Sequence, residues 1–277
     1  MRSAKSHVLA NLCAGVFAVA PVSAFANAAA DMQKKLQNPL GNIKAIMTDN
    51  VIGSDTGTTD DTSYGFSLQG VYAMDQPDKG FTFLPRAVVP ILGLEPGTDI
   101  PPVGQPNPTN TDSVWGLGDT ILQGFFAPHT EGKWKWGAGP QISIPTATKN
   151  QLEGPQWGVG AAGVLTGDLT EKLSFAGILG NHWGNGGKYN TMTIQPMLYY
   201  SLPTPGTAIA YNAVISADWE ANSSNRWTVP LGISYNKTWD MGGGHGFDFM
   251  IGPYYNVVRP DGAARWQIRF GINWLFP

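Results

Sequence analysis

The chain has 277 residues, and only 13% of them are charged, about half of the roughly 25% usual in soluble domains. Its 10 Trp, 9 Tyr, 12 Phe and 35 Gly argue against disorder, and the single cysteine, Cys13, excludes a disulfide framework or a cysteine-based metal cluster. With a net charge of −3 and no basic run, nucleic acid is not an expected partner.

Arg2 and Lys5 precede an apolar stretch from Val8 to Val19, followed by Pro21 and Ala24-Phe25-Ala26. A basic head, a short greasy middle and an A-x-A site predict a signal peptide over residues 1–26. The middle falls short of the about 20 residues that a spanning helix needs. Cleavage after Ala28 would serve equally, and either cut removes Cys13. Residues 27–42 are then expected in the periplasm. There Met32 and Leu36, set among Gln33, Lys34 and Lys35, can form a short helix, periplasmic or plugging.

From residue 43 onward the chain alternates with a period of two. Trp227, Val229, Leu231, Ile233 and Tyr235 share one face, against Thr228, Pro230, Gly232, Ser234 and Asn236 on the other. Trp266, Ile268, Phe270, Ile272, Trp274 and Phe276 alternate with Arg265, Gln267, Arg269, Gly271 and Asn273. Successive side chains leave a strand on opposite faces, so each segment is a ribbon with one greasy and one polar side. A soluble β-sandwich gives the same alternation. Three features favour a membrane barrel. The greasy faces have the length of a tilted membrane strand, aromatics sit near both ends, and the opposite faces carry Gly, Ser, Asn, Gln and Arg.

Twelve strands are predicted near 43–50, 62–73, 80–92, 113–127, 133–144, 156–166, 173–183, 190–202, 207–219, 226–239, 246–258 and 264–276. The fold class is therefore all-β, a closed up-and-down antiparallel transmembrane barrel over residues 43–277. Short connections (74–79, 128–132, 167–172, 203–206, 240–245) fall on one side and all the long ones on the other. Barrels of the outer membrane have short periplasmic turns and longer outside loops, which assigns the two sides. The partners expected are outer-membrane lipid, lipopolysaccharide and a small organic permeant.

Several phrases occur in a familiar order: Gln37-Asn38-Pro39-Leu40, Phe83-Leu84-Pro85-Arg86, Gly116-Leu117-Gly118-Asp119-Thr120, Trp136-Gly137-Ala138-Gly139-Pro140, Gly180-Asn181-His182-Trp183 and Leu275-Phe276-Pro277. Through nearly the whole mature chain the sequence resembles a family of Gram-negative outer-membrane proteins labelled transporters or neuromedin U-like. That group is related to proteins assigned to the MetA pathway of phenol degradation. The resemblance implies an outer-membrane barrel and a channel for small organic molecules.

Candidate chemistry is sparse. The stretch Gly177 to Gly186, with His182, Asn185 and Gly186, is similar to a Gly-x-x-His-x-Ser-Asn-Gly segment of outer-membrane phospholipases. Gly184 stands where the nucleophilic serine would be, which removes the hydroxyl that such a base must activate. His129 and His245 are expected in separate periplasmic turns, so no metal site and no cofactor are predicted. Asp49, Asp55, Asp60 and Asp61 read as an acidic outer loop without the spacing of a calcium loop. On the predicted faces Arg86, Asp119, Lys133, Lys135, Asp218, Asp248, Arg265 and Arg269 point inward, with His182 as a structural or pore-facing residue. Arg86 can pair with Asp119, and Trp115, Tyr199 and Tyr254 add inward aromatics. The leading expectation is a narrow porin-like channel without catalysis. The alternatives are a structural or adhesive barrel with a sealed lumen, or a barrel lipid hydrolase.

Overall fold

A computed structural model describes residues 22–56, 61–94 and 112–277, with side chains from residue 28 onward and, in the first of the outer loops, from residue 62. Most of the expected leader and most of the proline-rich loop 93–112 lie outside the described residues, as does Asp60.

Twelve antiparallel staves close into one barrel. In chain order they are β1 (Lys44–Thr56), β2 (Asp61–Tyr72, continued by Met74–Gln76), β3 (Phe81–Leu94) and β4 (Val114–Leu117 with Thr120–Pro128). Then come β5 (Trp134–Ile144), β6 (Gly158–Asp168), β7 (Leu173–Gly184) and β8 (Tyr189–Ser201). The last four are β9 (Thr207–Asn212 with Ile215–Asp218), β10 (Trp227–Gly232 with Ser234–Gly242), β11 (His245–Val258) and β12 (Trp266–Phe276). The barrel closes where β1 pairs with β12, from Lys44 opposite Phe276 to Ser54 opposite Trp266.

The alternation sorts side chains as expected. Ile46, Trp136, Ile142, Leu179, Ile268 and Ile272 are exposed on the outer wall, while their sequence neighbours turn inward. Aromatics gather in two belts. At the end with the short turns, Phe83 meets Phe126 (centroids 4.8 Å apart) and Trp239 meets Phe247 (5.6 Å). At the other end Tyr64 stacks on Trp115 (5.8 Å) and Tyr255 packs on Trp266 (4.7 Å). These are the two girdles of a membrane barrel.

Two places depart from a simple alternation. In β4 the partners of β3 change from Val88 opposite Ile121 to Ile91 opposite Leu117, so one extra residue is accommodated around Gly118 and Asp119. Such a bulge reverses parity beyond it. Trp115, expected inside, is therefore exposed on the outer wall, stacked on Tyr64. Between β9 and β10 the ladder runs from Thr207 opposite Lys237 to Ala210 opposite Ser234, then resumes at Ser216 opposite Thr228. Pro230 has no N–H to give, and its carbonyl instead accepts from the Tyr211 hydroxyl at 2.8 Å.

The first strand is longer than the sequence suggested. β1 runs to Thr56 and Asp61 opens β2, so Asp49 is a mid-strand residue and not part of an acidic loop. Gly53 and Asp55 look like turn formers, but here they extend the hairpin past the girdle.

Before the barrel, α1 (Val22–Gln37) includes the last residues of the expected leader. It stops where Pro39 forbids continuation, and the Asn38 side chain accepts from the Leu40 N–H at 3.0 Å. Lys34 and Lys35 lie in its last turn, where cations suit the helix dipole. Met32 is buried against Ile43, Ala45 and Leu275, with Leu36 packed beside them. The helix also touches β10 and β7, so it lies across the mouth at the end with the short turns. Its seat needs a glycine: a Cβ on Gly246 would stand 2.6 Å from Cγ of Met32.

Candidate pore and its constriction

The lumen holds two chambers. The inner one, a cavity of about 160 Å³, is bounded below by Gln33, Leu36, Gln37 and Pro39. The outer one, about 170 Å³, runs up to Pro90, Leu92 and Asp119. Asp49, Gln69, Arg86, Ile178 and Gln195 line both, and so form the waist between them.

At the waist the polar groups hold one another in place. Arg86 donates through Nη1 to Oε1 of Gln123 (2.9 Å) and through Nη2 to Oε1 of Gln69 (2.6 Å). Gln123 passes its amide on to Gln141 (2.8 Å), which donates to the Asn181 carbonyl (2.9 Å). Opposite charges meet once here: Nη2 of Arg269 lies 2.5 Å from Oδ2 of Asp49, while Nη1 donates to the Asn212 carbonyl at 2.7 Å. The Arg269 guanidinium also lies over the Tyr254 ring, 5.6 Å from its centroid. Gln195 joins the Arg269 side of the waist by donating to Oδ1 of Asn212 (2.9 Å).

The remaining sequence-selected residues fall in four places. Asp248 lines the inner chamber, where it accepts from Thr238 (2.7 Å) and Asn273 (2.9 Å). Asp119 does not pair with Arg86. Its carboxylate accepts the backbone N–H groups of Ala147 (3.1 Å), Gly154 (2.9 Å) and Gln156 (2.6 Å), and so latches loop 145–157 over the outer mouth. Leu152 of that loop is buried against Leu92, Leu94 and Val114. Lys133 and Lys135 sit at the rim with the short turns, Lys133 exposed with Nζ 5.9 Å from the Trp134 ring centre and Lys135 bonded to the Thr130 carbonyl. At the other end Arg265 faces Asp55 at 3.9 Å, both half exposed, and Asp218 accepts the Glu220 N–H at 3.0 Å. Trp115 apart, the inward aromatics are where parity put them: Tyr199 lines the inner chamber and Tyr254 is fully buried.

The latch gives a direct test. An Asp119→Ala variant leaves three backbone donors without their acceptor, at a cost of about 2 kcal/mol of stability. Limited proteolysis should cut it first within 145–157, while the wild type resists there.

His182 has a hydroxyl after all, though not from the position that the phospholipase-like segment suggested. Its Nε2 lies 3.1 Å from Oγ of Ser143 on β5. Both residues are buried, and Ser143 donates its proton to the Gln156 carbonyl at 2.6 Å. The imidazole is thus the donor in this pair, the reverse of a base that activates serine.

Sequence reading missed the glutamines and Asp49. Gln69 and Gln123 stand in the inward series Ser67, Gln69, Val71 and Ile121, Gln123, Phe125; for Gln123 an amide between two apolar residues is the available signal, while Gln69 follows Ser67 and has none. Asp49 occupies the same place between Met47 and Val51, hidden by the early end given to the first strand.

With this geometry in view, the family model described as "Putative MetA-pathway of phenol degradation" matches residues 50–277. The chain belongs to this family. None of the curated proteins matches this chain. Among solved structures it is similar to an outer-membrane channel from Pseudomonas putida F1, at 15% identity and a TM-score of 0.61, covering 86% of this chain and 97% of that one. The NanC porin matches at 11% identity and 0.48, over 83% and 98% of the two chains. The CymD monoaromatic hydrocarbon channel matches at 9% and 0.42, over 88% and 92%. At such identities the likeness concerns the fold, which is that of outer-membrane barrels.

Proposed function

We propose that this protein is a narrow, passive channel of the outer membrane for small organic solutes. The observation that carries the reading is the unfilled lumen, two chambers that share one polar waist. A twelve-stranded barrel lies between the eight-stranded ones that side chains fill and the sixteen-stranded ones that hold water. Apolar walls at Leu84, Phe125, Val164 and Met197, with amides and charges between them, suit a permeant that is partly apolar and partly polar. The outer belt faces lipid, and lipopolysaccharide borders the half-exposed Asp55 and Arg265. The name of the Pseudomonas putida outer-membrane channel agrees with this function.

The reading needs no cofactor and no catalysis. Ser143 and His182 are enclosed, and the serine proton is already committed. A sealed structural barrel is the second reading, favoured by α1 across one mouth and loop 145–157 across the other. Planar-bilayer recording of the purified protein separates the two. The channel reading expects small, resolvable current steps in potassium chloride, and a flat trace at every voltage favours the sealed barrel.

A further inference from the structure

We infer that Arg86 is the docking group for the carboxylate of a small apolar organic acid held in the inner chamber; this rests on the channel reading and names the class of solute.

Among the described residues, Arg86 is the cation of the waist that makes no salt bridge: the Asp49 carboxylate acts on it only through space and is bonded to Arg269. The salt bridges pair Arg269 with Asp49 in the lumen, and Arg265 with Asp55 and His129 with Asp75 at the half-exposed ends of the barrel. The other lumenal carboxylates are also engaged, Asp248 by Thr238 and Asn273, and Asp119 by three N–H groups. Arg86 instead rests on the carbonyl oxygens of two neutral amides, and its Nε is enclosed without a partner. A guanidinium has five N–H donors in a fixed fork, which matches a carboxylate in a way that a single amide oxygen cannot. The fork is also aimed in advance. Gln69 is held by Ser67 at 2.9 Å and Gln123 by Gln141, so neither amide is free to turn away.

Other unpartnered groups around the same chamber lean the same way. Nε2 of Gln33, Nε2 of Gln37 and Nε of Arg269 are donors without acceptors, on side chains more than nine-tenths buried. Oε1 of Gln37 and Oδ1 of Asp49 are acceptors without donors. With Arg86 Nε, orphan donors outnumber orphan acceptors, so the missing occupant is rich in acceptors. One residue pair from the guanidinium, on the same faces, Leu84 and Phe125 form an apolar wall with Ile178. A carboxylate on Arg86 would lay its hydrocarbon part there, against α1.

The probe is 3-phenylpropionate, with 3-phenylpropanamide as its uncharged counterpart of the same shape. In planar bilayers the acid should block the potassium chloride current, and the amide should need a concentration about tenfold or more higher. Arg86→Gln should remove the preference and Arg86→Lys retain part of it, while Lys133→Gln at the rim keeps it. Heat-dependent migration on gels identifies the folded barrel for each variant. Equal block by acid and amide, or an undiminished preference in Arg86→Gln, overturns the site. A wild type that passes no current overturns the channel reading and not this one. Calorimetry in lipid nanodiscs then decides, since binding of the acid over the amide upholds the site and equal or absent binding overturns it.

Discussion

Replacing Arg269 with methionine is expected to destabilise the barrel by about 3 kcal/mol. The loss comes less from the missing contact than from the charge left behind. Asp49 would remain in the lumen with neither of its oxygens bonded, since Oδ1 has no partner even in the wild type. Removing one member of a buried ion pair typically costs about 3–5 kcal/mol, and Asp49 keeps some access to the chambers, which puts the value at the lower end. The same substitution uncovers the Asn212 carbonyl and the face of Tyr254. Denaturant unfolding in detergent micelles measures the difference. A double variant that also carries Asp49→Asn should recover a large part of it, because the stranded charge is gone. If the two single changes simply add, the pair is not what holds the waist.

The second large effect concerns α1. A chain lacking residues 29–38, with the cleavage site intact, should conduct several-fold more current than the wild type, with little loss of barrel stability. The helix walls the inner chamber through Gln33, Leu36 and Gln37, while the barrel ladders close without it. Gly246→Val offers the same test without a deletion, since the added side chain collides with Met32 and levers the helix off its seat. Unchanged conductance in both variants would mean that α1 does not obstruct the path.

The barrel is legible in the sequence because its physics is periodic. Lipid demands apolar side chains at every second position, so staves such as Trp266–Phe276 announce their faces one residue at a time. The short and long connections then give the sidedness. The pattern does not reveal where the period slips. One additional residue at Gly118 and Asp119 turns Trp115 from lumen to lipid, and nothing local to Trp115 marks the change. The site is less legible for a related reason. Parity tells which residues point inward but not which of them meet, because that depends on strand register around a closed ring. Arg86 and Asp119 share the inward side and still hold different partners, a pair of amides for one and a loop backbone for the other. Asp49 and Arg269 lie 220 positions apart in the chain and are brought together by the closing ladder.

That ladder has a consequence for how the protein comes to exist. Lys44 bonds to the carbonyl of Pro277, so the first stave to leave the ribosome must wait for the last. Until then the nascent sheet has two raw edges, each a template for another polypeptide, and every hairpin added in between prolongs the exposure. Biogenesis of this molecule is therefore a race between self-closure and cross-pairing with its siblings, and an escort that shields the free edges would matter most in the interval before the ends meet.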